Sequence, residues 1–194
     1  MKNPNIIGGN GSKPRNERDF YPTPPECTIA LLNFLREYNT KPYKVWECAC
    51  GEGHITRVLE ERNIKVVSTD ILTGTDFLIT NLPEDDIDWI ITNPPFNLAE
   101  DFIKHAHDLR KKADNDLYFA FLLKSQFWHS KKRYQLFEET NPSFVLPLTW
   151  RPNFTGQGSS LLDMLWTVWC FKTTEYSETV YQPLKKPIIG DIKI

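Results

Sequence analysis

The stretch "YKVWECACGEGHITRVLEERNIKVVSTD", Tyr43 to Asp70, decides the fold. Lys44-Val45-Trp46-Glu47 reads as a short strand, and a glycine-bearing turn follows it. "HITRVLEERN" carries apolar residues at helical spacing, and "IKVVSTD" is a second strand that ends in an acid. Strand, turn, helix and strand in this order make a βαβ unit, which needs two parallel strands joined by a crossover helix. Gly51 and Gly53 permit close backbone approach and positive φ at the turn. Alone, such a turn fits an ordinary tight bend as well as a ligand loop.

Its context points to a ligand. Asp70 closes the second strand at about the 20-residue offset from which an acid reaches a ribose hydroxyl in dinucleotide folds. Two features argue against a dinucleotide. Thr56 stands where a third glycine would be, and the Glu47 carboxylate would repel a pyrophosphate. A carboxylate there suits a ligand with an amino group and a sulfonium, and S-adenosylmethionine has both, with a ribose for Asp70. "TGTDFL" then offers Asp76 to an adenine amino group and Phe77 as an apolar ring, though the same two residues fit a turn and a core position.

Outward from this unit the alternation continues. "YPTPPECTIALLNFLREY" gives an extended approach set by its prolines and then a helix. "DWIIT" is a buried strand, "LAEDFIKHAHDLRKKA" an amphipathic helix and "DLYFAFLLK" a long apolar strand. "KKRYQLFEET" reads as a helix, "SFVLPL" and "MLWTVWCFK" as strands, and a short terminal strand fits beyond Thr173. Strands alternating with helices predict an α/β fold with a mostly parallel, doubly wound sheet. The expected division is a mobile arm over 1–19, one domain over 20–172 and a C-terminal extension over 173–194. Ligands in such sheets bind beyond the carboxyl ends of the strands, which makes the ends near Gly51, Asp70 and Asn93 the informative places.

Composition narrows the function classes. The chain has 194 residues, 40% hydrophobic and 25% charged, with a net charge of −2. No global field draws it to a polyanion, so such a site must be a local patch. No apolar run approaches the roughly 20 residues of a membrane span, and the amino terminus lacks a secretory h-region. The expectation is a soluble, cytoplasmic protein. Cys27, Cys48, Cys50 and Cys170 lack metal-ligand spacing and read as reduced thiols, and the histidines read as surface residues. No metal is expected.

"NPPF", Asn93 to Phe96, ends the "DWIIT" strand with an amide, two rigid residues and a ring. Exocyclic amino groups of bases are poor nucleophiles, because the lone pair is delocalised into the ring. Two acceptors on the two N–H bonds can draw the nitrogen toward tetrahedral geometry. The Asn93 side-chain oxygen can be one acceptor and the Pro94 carbonyl the other, while Pro94 and Pro95 fix the backbone. Phe96 can stack on the base.

With these residues in view, the chain resembles the S-adenosylmethionine-dependent amino-methyltransferases, above all the small adenine-N6 DNA methyltransferases of phages and restriction systems. "YPTPPE", "ECACGEG", "TDFL", "NPPF", "FLLKSQFW" and "RPNF" resemble the family's motifs in order. The resemblance implies a Rossmann-like class I methyltransferase fold with an antiparallel C-terminal strand. It implies that Tyr21, Thr23 and Pro24 meet the methionine end of the cofactor. Glu47, Cys48, Ala49, Gly51 and Gly53 would form the cofactor loop. Asp70, Ile71, Asp76, Phe77 and Asn93 would complete that pocket. Asn93, Pro94, Pro95 and Phe96 would be catalytic, and Phe154 would stack on an extruded base from a loop containing Gly156 and Gly158. Arg151 would meet a phosphate or fix that loop, and Lys131 and Arg133 would track phosphates.

The implied function is methylation of adenine N6 in DNA after base flipping. RNA adenine, cytosine N4 or a protein glutamine could use the same acceptors, and a non-catalytic module could keep the fold. Asp76 follows Asp70 too closely for the family's usual helix and third strand between those motifs. No segment is long enough for a separate target-recognition domain. Specificity is expected to be short, loose or supplied by a partner chain.

Overall fold

Alternation along the central strands sets the two faces of the sheet. The computed structural model describes residues 21–155, 162–170 and 178–188 of the chain. The expected arm over 1–19 lies outside them, as do Gly156 and Gly158. Strands β1 (Lys44–Glu47), β2 (Lys65–Ser68), β3 (Trp89–Thr92), β4 (Tyr118–Lys124), β5 (Phe144–Pro147), β6 (Met164–Trp169) and β7 (Val180–Tyr181) form one sheet. Their order is β2-β1-β3-β4-β6-β5-β7. Strands β2, β1, β3 and β4 run parallel, β6 is antiparallel to β4 and β5, and β7 is parallel to β5.

Val45, Trp89, Ile91, Ala120 and Leu122 face one core, with helices α1 (Pro25–Glu37) and α2 (His54–Glu61). Trp46, Ile90, Phe119, Phe121 and Leu123 face the other, with α3 (Ala99–Lys112) and α4 (Tyr134–Thr140). Successive strand residues point to opposite sides, so a sheet covered twice needs the continuous apolar runs that "WIIT" and "FAFLL" supply. Trp46, Trp89, Trp166 and Trp169 are fully buried. This is the doubly wound α/β architecture expected, with its antiparallel strand near the C-terminus.

The turn chemistry explains the ends. Pro24 caps α1 in extended backbone (ψ 137°) and Pro25 takes the first turn, where no amide donor is needed. "KKRYQLFEET" is not one helix: Lys131–Arg133 is a 3₁₀ turn, and only Tyr134–Thr140 is α-helical. Between β2 and β3 there are only 3₁₀ turns, Ile71–Thr73 and Phe77–Ile79. The helix and strand that the spacing could not hold are absent there, and β2 is an edge strand of exposed and half-buried residues. Beyond 173, β7 pairs with β5, and Leu184 is buried with the core.

The connections matter for the site. From β1 the chain moves outward to β2, then returns across β1 to β3 and continues to β4. The direction of winding therefore reverses between β1 and β3, the place where open α/β sheets bind ligands. Among the described residues, no helix is long and apolar enough to cross a membrane.

Candidate active site

The turn after β1 is built around glycine conformations. Gly51 has φ 52° and Gly53 φ 74°, both left-handed. A Cβ on Gly53 would meet its nearest atoms only at 3.7 Å, so the requirement there is backbone conformation and not space. The Gly51 N–H donates to Asp70 Oδ2 at 2.8 Å, and the Leu72 N–H donates to Oδ1 at 2.8 Å. The buried Asp70 carboxylate thus ties the first loop to the turn after β2.

Glu47, at the end of β1, is also buried. Its Oε2 accepts from the Thr56 backbone N–H at 2.7 Å and from the Thr56 hydroxyl. That hydroxyl lies 2.6 Å from Ser68 Oγ. Thr56 therefore pins Glu47 from the position where a dinucleotide site would carry glycine. Burial pushes the Glu47 carboxyl up to about 7, against the pull of the Thr56 bonds and of Arg57. A buried carboxyl without a direct ion pair is costly to ionise, and a cationic ligand relieves that cost.

Asn93 follows β3 and is half-buried. Its Nδ2 donates to the Thr23 hydroxyl at 3.1 Å and to the Tyr21 carbonyl at 3.3 Å. The Tyr21 carbonyl fixes the amide's orientation, since a flipped amide would present its oxygen to a group that can only accept. Asn93 Oδ1 is shut off from solvent and has no hydrogen-bond partner. The Leu98 N–H donates to the Pro95 carbonyl at 2.9 Å and starts α3, while no backbone donor among the described residues reaches the Pro94 carbonyl. The Phe96 ring lies 5.1 Å from the Tyr21 ring and 3.9 Å from Lys124 Nζ.

These segments enclose a cavity of about 480 Å³ at the carboxyl ends of β1, β2 and β3. No protein-family model and no curated protein matches the chain significantly. Solved structures do. One described as an RNA methyltransferase from Pyrococcus horikoshii superposes with TM-score 0.56 at 13% identity, over 83% of this chain and 91% of that one. A structure described as a modification subunit of a type I restriction enzyme from Vibrio vulnificus gives 0.53 at 13%, over 87% and 48%. One described as a class I S-adenosylmethionine-dependent methyltransferase from Listeria monocytogenes gives 0.50 at 12%, over 82% and 65%. The chain has the class I methyltransferase fold. It spans less than two thirds of the Listeria and Vibrio chains.

Within this methyltransferase fold, most of the residues expected at a cofactor site line the one cavity. They are Tyr21, Thr23, Glu47, Cys48, Ala49, Gly51, Asp70, Ile71, Asp76, Phe77 and Asn93, and Pro95 lines it too. Pro24, Gly53, Pro94 and Phe96 are beside it without lining it. Asp76 Oδ1 accepts from the Leu78 N–H at 3.0 Å, capping its turn. Phe77 is mostly a core ring, 5.1 Å from Trp46 and 4.7 Å from Phe102.

The proposed substrate residues are more scattered. Phe154 is buried and meets the edge of Tyr21 at 5.8 Å. Arg151 Nε donates to Asp163 Oδ1 at 2.8 Å, and the side chain is more than half exposed. Arg133 donates to the Phe127 carbonyl at 2.9 Å and lies 4.2 Å over its ring, whereas Lys131 is exposed.

Sequence reasoning missed Pro22, Cys50, Glu52, His54, Ile55, Leu72, Thr75, Leu78, Leu98 and Phe102 as lining residues. Most sit next to an expected position; Phe102, on α3, gave no signal but its helical spacing. Of the histidines expected at the surface, His129 is exposed, while His54, His105 and His107 are partly buried. His105 bonds to the Thr80 carbonyl at 3.0 Å, and His107 packs 4.9 Å from Phe119, where burial pushes it down to about 4.

Proposed function

We propose that the protein is an S-adenosylmethionine-dependent methyltransferase acting on the exocyclic N6 amino group of adenine in DNA. The observation that carries this is the Asn93 side-chain oxygen, buried, oriented by two bonds from its own nitrogen, and without a partner. A buried acceptor left unsatisfied costs about 1–3 kcal/mol. An incoming N–H donor removes that cost.

The residues present fit the cofactor. Glu47 is buried at the cavity wall with no direct ion pair among the described residues, which matches a ligand carrying an ammonium and a sulfonium. Asp70 and Asp76 line the same cavity and would face the ribose and the adenine amino group. When bound, S-adenosylmethionine supplies an electrophilic methyl group. The chain's own part is to prepare the nucleophile. Asn93 Oδ1 and the Pro94 carbonyl accept the two N–H bonds of the target nitrogen and free its lone pair. Phe96 stacks on the base and orients it. Asn93 is neutral and takes no proton, so the departing proton leaves to water.

The descriptions of the Vibrio and Pyrococcus structures, a restriction-modification subunit and an RNA methyltransferase, support a nucleic acid substrate. The aromatic rings around Asn93 favour a flat base over an extended side chain. The test supplies methyl-labelled S-adenosylmethionine with DNA, RNA and protein in parallel, and identifies labelled nucleosides or residues by mass spectrometry. N6-methyladenine in DNA is the expected product. Label confined to cytosine N4, to RNA or to glutamine would replace the substrate, and no label anywhere would remove the enzymatic assignment.

A further inference from the structure

Tyr21 stands between the two rings that would hold the base. Its ring centroid is 5.1 Å from that of Phe96, with the planes tilted by 30°. It is 5.8 Å from Phe154, edge to face at 74°. Among the described residues no hydrogen bond reaches the Tyr21 hydroxyl, and the residue is half-buried, its ring in contact with Phe96 and Phe154. The backbone of the same residue is held separately, because its carbonyl accepts from Asn93 Nδ2 at 3.3 Å. Rotation about χ1 can therefore remove the ring without disturbing the bond that orients Asn93. Asn93 Oδ1 is closed to solvent and has no partner among the described residues.

We infer that the Tyr21 ring is a stand-in for the substrate base: it fills the slot while the site waits, and must swing out for the base to be captured. This rests on the amino-methyltransferase assignment above and deepens it. A flat ring lies tilted against one neighbour and edge to face with the other, and no described residue satisfies its polar end. Such a slot accepts a nucleobase plane and not the flexible chain of a glutamine. Tyr21 then has two separate parts. Its backbone positions the acceptor amide, and its side chain sets how hard the base must compete for the slot. A weakly held ring keeps water from Phe96 and Asn93, yet gives way to a base that brings an N–H donor to the waiting oxygen.

The experiment compares wild type, Tyr21→Phe and Tyr21→Ala on single-stranded and duplex oligonucleotides with one adenine. Product identity, KM, kcat and calorimetric cofactor affinity are measured on the same preparations. Removing the ring should lower KM for the oligonucleotide about fivefold, because an aromatic pair contact no longer has to be broken. Tyr21→Phe, which keeps the ring, should not show this fall in KM. An unchanged or raised KM in Tyr21→Ala overturns the inference and makes the ring a wall of the pocket.

A second measurement holds even if Tyr21→Ala fails to fold. Protein labelled with 3-fluorotyrosine gives a ¹⁹F signal for Tyr21, assigned by its loss in Tyr21→Phe. Adding the adenine oligonucleotide should move that signal toward the value of the unfolded chain, and an oligonucleotide with thymine at the target should not. A signal unmoved by adenine overturns the inference. If wild type methylates no base at all, the amino-methyltransferase assignment itself fails, and the inference goes with it.

Discussion

The Asn93 side-chain nitrogen donates to the Thr23 hydroxyl at 3.1 Å, joining positions 70 residues apart in sequence. The segment before α1 thereby orients an amide at the end of β3, and the amide's oxygen is left for another donor. Thr23→Val keeps the shape and removes the acceptor. Loss of one such bond is worth about 1 kcal/mol, so kcat should fall roughly fivefold, with melting shifted by only a few degrees. Unchanged turnover in Thr23→Val would mean the amide needs no positioning.

Glu47 should couple cofactor binding to pH. Its folded carboxyl titrates at about 7 against an ordinary 4.5. A cationic ligand needs the ionised form, so affinity should rise with pH up to about 7 and level off above it. Stability of the ligand-free protein should do the opposite. The folded state holds the proton more tightly than the unfolded state, so this contribution is full below pH 4.5 and lost as pH rises through about 7. The loss is on the order of 3 kcal/mol. Glu47→Gln should flatten both profiles, raise the melting temperature above pH 7 and weaken binding. Calorimetry and thermal melts between pH 5 and 9 read both, and identical profiles in the variant would remove Glu47 from the account.

Gly51→Val places a β-branched residue at φ 52° and crowds the bond from its N–H to Asp70. Cofactor binding should be lost by calorimetry while the circular dichroism spectrum persists. Unchanged affinity in a folded variant would place the cofactor elsewhere.

The architecture was legible because buried parallel strands read as unbroken apolar runs, and "WIIT" and "FAFLL" are such runs. The short gap between Asp70 and Asp76 foretold that a helix and strand would be missing there. Local motifs also located the cavity, since Gly51, Asp70 and Asn93 each follow a strand. Contacts between distant segments were illegible. Nothing in "KKR" shows that Arg133 turns inward onto Phe127. Nothing in "GHITR" shows that Thr56 reaches back to Glu47. The burial of His105 and His107 depends on which helix face meets the 3₁₀ turn and the sheet, which only packing decides.

Sequence preference on DNA should be weak. Among the described residues no inserted segment between the motifs offers a base-reading surface, and Arg133 Nη1 and Arg151 Nε each bond within the protein. Methylation of a random duplex library should fall in many contexts or at a very short motif. A strict site of about five or more base pairs, read by this chain alone, would show that specificity resides in residues not assigned to it here.

The most direct measurement is the single-turnover rate of Asn93→Ala, with cofactor affinity determined on the same protein. Losing one preorganised acceptor should cut the rate about 10²–10³-fold. Cofactor affinity should stay near the wild-type value, because the charged and ribose-facing groups of the pocket are untouched. A near-normal rate in a folded Asn93→Ala protein would contradict the account and reduce Asn93 to a strand cap.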